Sequence, residues 1–81
     1  MTVRYSQHFL RQYAAAPAQV REAFDKQCEL LLDDLGYPSS RAKKYHATLG
    51  VWQARVTRDW RFYFTIEGGE YHLHEIKRHA K

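Results

Sequence analysis

The chain has 81 residues, of which 44% are hydrophobic, and 13 Lys and Arg against 9 Asp and Glu give it a net charge of +4. This length suits one small domain, and the composition is that of a globular protein without repeats. No apolar stretch approaches the roughly 20 residues that cross a membrane, no signal-peptide pattern opens the chain, and one cysteine can form neither an internal disulfide nor a cysteine metal site. We therefore expect a single domain over residues 1–81, no membrane association, a cytoplasmic location, and no metal or other cofactor.

The positive charge is concentrated in the second half of the chain. Residues 1–36 contain four Lys or Arg and five Asp or Glu, whereas residues 37–81 contain nine and four, so the two parts carry −1 and +5. Clustered positive charge favours nucleic acid or an acidic protein as a partner.

The first residues predict a short strand followed by a helix. Residues 2–5 form the strand, and Ser6 stands where a helix N-cap belongs, since its hydroxyl can accept a free backbone N–H of the first turn. The helix runs to about Ala15. Its apolar stripe consists of Phe9, Leu10 and Tyr13.

A second helix is predicted from Pro17 to Leu35, ended by Gly36 and Pro38. Cys28 lies on its apolar stripe, so we interpret this residue as a small hydrophobic side chain and not as a reactive thiol. The stripe consists of Val20, Phe24, Cys28 (or Gln27), Leu31 and Leu35, and Leu32 widens it.

The segment from Val51 to Ile76 alternates between apolar and polar residues, which predicts three antiparallel strands. Glu67-Gly68-Gly69-Glu70 is typical of a two-residue hairpin turn that sets Glu67 opposite Glu70, because glycine adopts positive φ freely. A three-residue loop at Thr57–Asp59 forms the other turn.

These turns fix a register in which Arg55 lies opposite Arg61, Phe64 opposite Leu73, and Arg61 opposite Ile76. One face of the sheet is then apolar and forms the core, whereas the other is basic and aromatic and indicates an anion site, most simply for a phosphate. The alternative is a solvated face whose long side chains splay apart. The core face carries Trp52, Ala54, Val56, Trp60, Phe62, Phe64, Ile66, Tyr71 and Leu73, and the polar face carries Gln53, Arg55, Arg61, Tyr63, Thr65, His72, His74 and Ile76.

The order of elements is β-α-α-β-β-β, with Lys43–His46 as a short extended segment that leads into the sheet. We therefore predict an α+β fold in two layers. Two N-terminal helices pack on one face of a mostly antiparallel four-stranded sheet and leave the polar face open.

This order of elements, with three short motifs, resembles the RelE/ParE toxin superfamily of bacterial type II toxin–antitoxin systems. The motifs are Trp52-Gln53-Ala54-Arg55-Val56, Asp59-Trp60-Arg61 and Lys77-Arg78-His79, and the segment from Pro38 to Lys44 is similar to the linker that many members carry before the sheet. The resemblance covers essentially the whole chain, and its second half is most similar to the RelE-like and YoeB-like branch. That branch implies a toxin that acts as a ribosome-dependent endoribonuclease, or mRNA interferase, cutting mRNA in the ribosomal A site.

The resemblance also implies roles for individual residues. Arg61 matches the arginine that holds the scissile phosphate, Arg55 matches a basic strand residue of the same site, and His79 matches the C-terminal catalytic histidine. An imidazole with an ordinary pKa of about 6.5 suits the acid that protonates the leaving oxygen. The base is left open between Lys43, Lys44 and His46. Further contacts to RNA or phosphate are expected from Lys43, Lys44, Gln53, Arg58, Tyr63, His74, Lys77 and Arg78.

Two other functions stay open at this point. A ParE-like member inhibits DNA gyrase without RNA chemistry, and a catalytically degenerate member only binds RNA or its antitoxin. Gln53 stands where the RelE-like pattern has a lysine, which bears on the second alternative. The expected partners are a cognate antitoxin in every case, the ribosome and mRNA for an interferase, and DNA gyrase for an inhibitor.

Overall fold

The computed structural model describes residues 2–33 and 42–79. Five strands, two helices and a short 3-10 helix occupy these ranges. Their bounds are β1 Thr2–Tyr5, α1 Gln7–Ala15, α2 Ala18–Asp33, β2 Lys43–His46, the 3-10 helix Ala47–Leu49, β3 Val51–Arg55, β4 Trp60–Glu67 and β5 Glu70–Arg78.

The strands form one mixed sheet in the order β1-β5-β4-β3-β2. The β1–β5 pair is parallel and the other three pairs are antiparallel. The prediction of an α+β fold is confirmed, but the prediction of four strands is wrong, because Lys43–His46 forms a fifth strand at the edge. All four of its residues are exposed, so backbone pairing with β3 holds the strand and no buried alternation marks it in the sequence.

Helix α1 begins at the predicted cap and also completes the edge of β5. The Ser6 hydroxyl accepts a hydrogen bond from the Phe9 backbone N–H at 2.9 Å and lies 3.2 Å from the His74 carbonyl, to which it donates. The Gln12 side-chain oxygen accepts from the Ile76 backbone N–H at 2.9 Å. Because β1 ends at Tyr5, these side chains take over the backbone groups of β5 that β1 no longer reaches.

The apolar stripe of α1 is narrower than predicted. Phe9 is fully buried and Tyr13 packs against the core, but Leu10 is 44% exposed, so its assignment to the stripe is wrong. Leu10 is turned about 100° around the helix from Phe9, which carries it away from the sheet.

Replacing Ser6 by alanine should lower the free energy of unfolding by about 1 kcal/mol, because an N-cap acceptor is lost together with the contact to β5. In a domain of this size such a loss lowers the thermal midpoint by roughly 4–8 °C. Circular dichroism melting of Ser6→Ala beside Thr48→Ala, an exposed hydroxyl residue in the 3-10 helix, measures it. Equal midpoints for the two variants would contradict the capping role.

Helix α2 buries the predicted stripe through Val20, Phe24, Cys28 and Leu31. Burial raises the pKa of the Cys28 thiol to about 11, which agrees with its interpretation as a small hydrophobic side chain. The predicted continuation to Leu35 and the stop at Gly36 and Pro38 lie outside the described residues. Neither helix in the described ranges is long and apolar enough to span a membrane.

Both helices cover the predicted core face of the sheet. The ring of Phe24 in α2 meets the ring of Phe62 in β4 edge-on, with centroids 5.1 Å apart, and Phe9 of α1 lies 5.2 Å from Phe24. The Tyr71 hydroxyl donates to the Leu31 carbonyl at 3.1 Å. All nine residues assigned to this face are buried or packed against the core.

The register between β3 and β4 is as predicted, with Arg55 opposite Arg61. Between β4 and β5 it is correct only as far as Phe64 opposite Leu73. A β-bulge then adds one residue, His74, and from there on Arg61 lies opposite Lys77.

The predicted pairing of Arg61 with Ile76 is therefore wrong, and so is the placement of Ile76 on the polar face. Ile76 is 1% exposed and belongs to the core. An inserted residue turns every later side chain of the strand to the other face, which strict alternation cannot show. The adjacent polar residues His74 and Glu75 are the sequence signal of the interruption.

Candidate functional site

The open face of the sheet carries a pocket, which we call the cationic pocket, with a cavity volume of about 270 Å³. It draws its lining from β2, β3, β4 and the residue that follows β5. The pocket brings together all three predicted catalytic residues and two of the predicted RNA contacts. It is lined by Lys43, Gln53, Arg55, Arg61 and His79.

Strand pairing places four of these side chains next to one another. Lys43 lies opposite Gln53 across β2 and β3, and Arg55 lies opposite Arg61 across β3 and β4. Gln53 and Arg55 are two residues apart on one strand, so they share the face that points away from the helices.

The backbone of the β3–β4 turn holds the guanidinium of Arg61. Its Nη1 donates to the carbonyls of Thr57, Trp60 and Arg58 at 2.8, 3.0 and 3.1 Å. Like charges in a cross-strand pair destabilise a sheet. The carbonyl oxygens offset that repulsion, because their partial negative charge surrounds one of the two cations. The contacts of Arg61 to residues in the described ranges all involve Nη1, and Nε and Nη2 carry the remaining N–H donors of the guanidinium.

The same turn fixes the end of β5. The backbone N–H of His79 donates to the carbonyl of Asp59 at 2.7 Å. One short turn therefore anchors both the guanidinium of Arg61 and the backbone of His79.

Behind the pocket lies a buried polar pair. The Gln53 side-chain amide donates to the Tyr63 hydroxyl at 3.0 Å, and each of these residues is 6% exposed. The Lys77 ammonium lies 5.2 Å from the centre of the Tyr63 ring and 3.2 Å from a Glu75 carboxylate oxygen. Gln53 is thus held by a hydrogen bond inside the sheet, where a lysine would place a buried charge.

Glu75 is a neighbour of the site that the sequence did not indicate. Partial burial acts to raise the pKa of Glu75, but hydrogen bonds and charges from Lys77 and His8 outweigh it and hold that pKa below its ordinary value. The carboxylate is therefore ionised at neutral pH, and it neutralises part of the positive charge beside the Tyr63 ring.

Six of the eight predicted contacts do not line the pocket. Tyr63 and Lys77 lie beside it, since Tyr63 is bonded to Gln53 and Lys77 is paired opposite Arg61, and the other four lie further away. Lys44 is paired opposite Trp52 with its ammonium 5.9 Å from the indole ring, and Arg78 is paired opposite Trp60, so both occupy the helix side of the sheet. Arg58 is exposed in the β3–β4 turn. His74 lies further along the open face, with its Nε2 at 2.9 Å from the Thr65 hydroxyl.

The chemistry of the pocket favours an anion. Its described lining contains three cations, one imidazole and one amide, with no acidic residue among them. The planar fork of an arginine side chain matches phosphate oxygens, and two arginines, Arg55 and Arg61, line this pocket. Among the lining groups, Lys43 carries an amine and His79 an imidazole, which are the side-chain types that can act as a base or an acid, whereas arginine stays charged. Of the three base candidates, Lys43 alone lines the pocket, whereas Lys44 faces the helix side and His46 lies further along the open face.

Sequence comparison finds neither a matching family model nor a matching curated protein. Solved structures do match. The YoeB/ParE toxin from Agrobacterium tumefaciens is similar with a TM-score of 0.83 at 14% identity, over 99% of this chain and 100% of that one. YafQ from E. coli BL21(DE3) has a TM-score of 0.76 at 18% identity, over 96% and 92% of the two chains. The intact E. coli RelBE toxin–antitoxin complex contains a chain with a TM-score of 0.75 at 10% identity, over 99% and 98%.

These matches cover nearly the whole of each chain, so the fold is that of the RelE/ParE toxins. The predicted resemblance to that superfamily is confirmed at the level of the fold.

Proposed function

We propose that this protein is the toxin of a type II toxin–antitoxin pair and that it is an mRNA interferase, an endoribonuclease that cuts mRNA on the ribosome. The cationic pocket carries the proposal. Two arginines, a lysine and a histidine converge on one cavity, and the fold that carries it is shared with the YoeB/ParE toxin and with the RelBE toxin–antitoxin complex.

The pocket contains groups for each part of an RNA cleavage through the 2′-OH. The 2′-oxygen attacks the adjacent phosphorus and loses its proton to Lys43, the proposed base. The bond from phosphorus to the 5′-oxygen breaks, and the imidazolium of His79 protonates that oxygen. Arg55 and Arg61 stabilise the extra negative charge on the pentavalent phosphate. The products are a 2′,3′-cyclic phosphate and a 5′-hydroxyl.

The proposed protein partner is a cognate antitoxin with an acidic segment. The E. coli RelBE match is itself a toxin–antitoxin complex, and a YoeB–YefM complex from Staphylococcus aureus matches with a TM-score of 0.78. An acidic segment on the open face would cover Arg55 and Arg61, and its association rate should fall as salt is added.

Primer extension on a defined mRNA tests the activity. The purified protein is added to translating ribosomes, and the expected result is cleavage within the codon in the A site, with 5′-hydroxyl ends downstream. Naked mRNA is the parallel sample for ribosome dependence. A supercoiling assay with DNA gyrase covers the alternative. Intact mRNA together with inhibited supercoiling would overturn the interferase proposal and support a ParE-like inhibitor.

The adjacent lysines of β2 provide a matched pair for the proposed base. Lys43→Ala should reduce cleavage by about 10²-fold, the lower end of the usual effect of a general acid–base group, because Lys43 lines the pocket. Lys44→Ala should change cleavage less than twofold, because Lys44 lies on the helix side beside Trp52. Single-turnover rates on ribosomes measure both variants. Equal losses would mean that total charge matters and that Lys43 has no particular role.

A further inference from the structure

The open face carries a second cavity, of about 480 Å³, which we call the tyrosine cavity. Five of its nine described lining residues are tyrosines or histidines, among them Tyr45, Tyr63, His46 and His74, and Glu75 is the acidic residue of the lining. No step of the proposed cleavage uses these residues. The cavity is therefore a candidate for a separate binding role.

The tyrosine cavity adjoins the cationic pocket on the open face, because Tyr63 of the cavity is paired opposite Gln53 of the pocket. Lys43 and Arg61 line the pocket, and Tyr45 and Tyr63, two residues further along the same strands, line the cavity. Two strand residues span roughly 6.6 Å, which is within the reach of a single nucleotide. The hydrogen bond from Gln53 to the Tyr63 hydroxyl joins the two sites, because Gln53 lines the pocket and Tyr63 lines the cavity.

Two β-bulges supply the cavity with its side chains. The register between β2 and β3 skips Tyr45, and the register between β4 and β5 skips His74. Both extra residues line the tyrosine cavity. Bulges are frequent beside functional sites, where they redirect a side chain. Here two different strands are interrupted, and both interruptions serve the same cavity.

The exposure of Tyr45 indicates what this cavity can bind. Tyr45 is 60% exposed, whereas the neighbouring Tyr63 is 6% exposed, and their rings meet at 68° with centroids 5.0 Å apart. Tyr45 thus contacts Tyr63 through an edge-to-face arrangement of the two rings, and much of Tyr45 stays exposed to solvent. Proteins commonly bind the unstacked bases of single-stranded RNA by stacking them on aromatic side chains.

We propose that the tyrosine cavity holds a nucleobase stacked on Tyr45, from a nucleotide next to the phosphate in the cationic pocket. This inference rests on the proposed function, since it places the base and the phosphate of one RNA strand in two adjoining sites of the open face. Stacking tolerates all four bases, so the cavity adds affinity and orientation more than sequence preference.

NMR titration with two trinucleotides tests the inference. One is a 2′-deoxy trinucleotide, which lacks the attacking hydroxyl, and the other has the same sugar–phosphate backbone without bases. The intact trinucleotide should shift the ring protons of His46 and His74, because a stacked base adds a ring current beside them. The abasic chain should leave these resonances in place and bind roughly 5- to 100-fold more weakly, the range expected for one stacked base.

Variants of Tyr45 test whether this residue causes the difference in affinity between the intact and the abasic trinucleotide. Tyr45→Ala should bind the intact trinucleotide 5- to 100-fold more weakly and the abasic chain unchanged, and Tyr45→Phe should bind both like the wild type. Tyr5→Ala is the matched control, because Tyr5 is also largely exposed, at 47%, but lies on β1 at the far edge of the sheet. It should bind both ligands normally.

The outcomes separate this inference from the proposed function. If both ligands bind the wild type equally and Arg61→Ala weakens both, the cavity holds no base, although the phosphate site stands. If neither ligand binds the wild type, the inference about the tyrosine cavity is overturned, and primer extension on translating ribosomes decides the proposed function separately. If Tyr45→Ala leaves nucleotide binding unchanged, the inference is overturned. If it also weakens the binding of a protein partner, the cavity is a protein-docking surface.

Discussion

Replacing Arg61 by alanine should reduce mRNA cleavage by roughly 10²–10³-fold, the usual loss when one donor to a developing negative charge is removed. Arg61 is the arginine whose Nη1 is fixed by three carbonyls of the β3–β4 turn, so its other donors are positioned before the phosphate arrives. Arg61→Lys should recover little of the loss, because a single ammonium cannot reproduce the planar fork.

The same substitution should have a small effect on stability. Arg61 faces away from the helices, and its loss removes hydrogen bonds to a turn at the surface but also relieves the repulsion with Arg55. We expect a change of about 1 kcal/mol or less in the free energy of unfolding. Arg11→Ala, on an exposed position of α1, controls for the loss of one positive charge. The idea fails if Arg61→Ala cleaves mRNA as fast as Arg11→Ala does.

The part of the sheet with uninterrupted alternation could be predicted from the sequence. The glycine turn fixes the start of the β4–β5 hairpin, with φ of 56° at Gly68 and 77° at Gly69, and the register follows from it to Leu73. Beyond Leu73 the bulge at His74 breaks the count, and Ile76 changes faces. The side chains of Ser6 and Gln12 bind backbone groups on either side of the bulge, and such contacts leave no periodic signal in the sequence.

The strand Lys43–His46 shows the same limit at the edge of the sheet. An edge strand with exposed side chains gains its place from hydrogen bonds to β3, so it has no apolar period. The bulge at Tyr45 also interrupts the alternation within this strand, so the sequence pattern does not indicate the strand. The tyrosine cavity contains the extra residue of each bulge, Tyr45 and His74. Alternation along β5 placed His74 on the open face, but β2 has no apolar alternation, so the sequence indicated no role for Tyr45.

The cationic pocket was accessible to sequence reasoning because its core lies where the alternation is regular. Arg55 and Arg61 share a face by spacing alone, and the turn between their strands is short. The anchoring of His79 to the carbonyl of Asp59 could not be read in this way, because it is a contact between backbone groups that lie 20 residues apart. Lys43 and Lys44 show that the face of each single residue must be known, since these adjacent lysines lie on opposite faces of the sheet.

Replacing Phe62 by alanine should lower the free energy of unfolding by roughly 3–5 kcal/mol, the usual cost of removing a buried phenyl ring. Phe62 is fully buried, lies 5.1 Å from the ring of Phe24 and 5.7 Å from that of Phe64, and follows Arg61 directly in the chain. In a domain of this size the thermal midpoint should fall by at least about 12 °C. Phe62→Leu keeps most of the apolar volume, so its thermal midpoint should lie between those of the wild type and Phe62→Ala. It gives a measurable value if the alanine variant does not fold.

Because neighbouring strand residues face opposite sides, a register slip of one residue would exchange the effects at Arg61 and Phe62. A stable Phe62→Ala beside an unfolded Arg61→Ala would show that the core and the cationic pocket are assigned to the wrong faces.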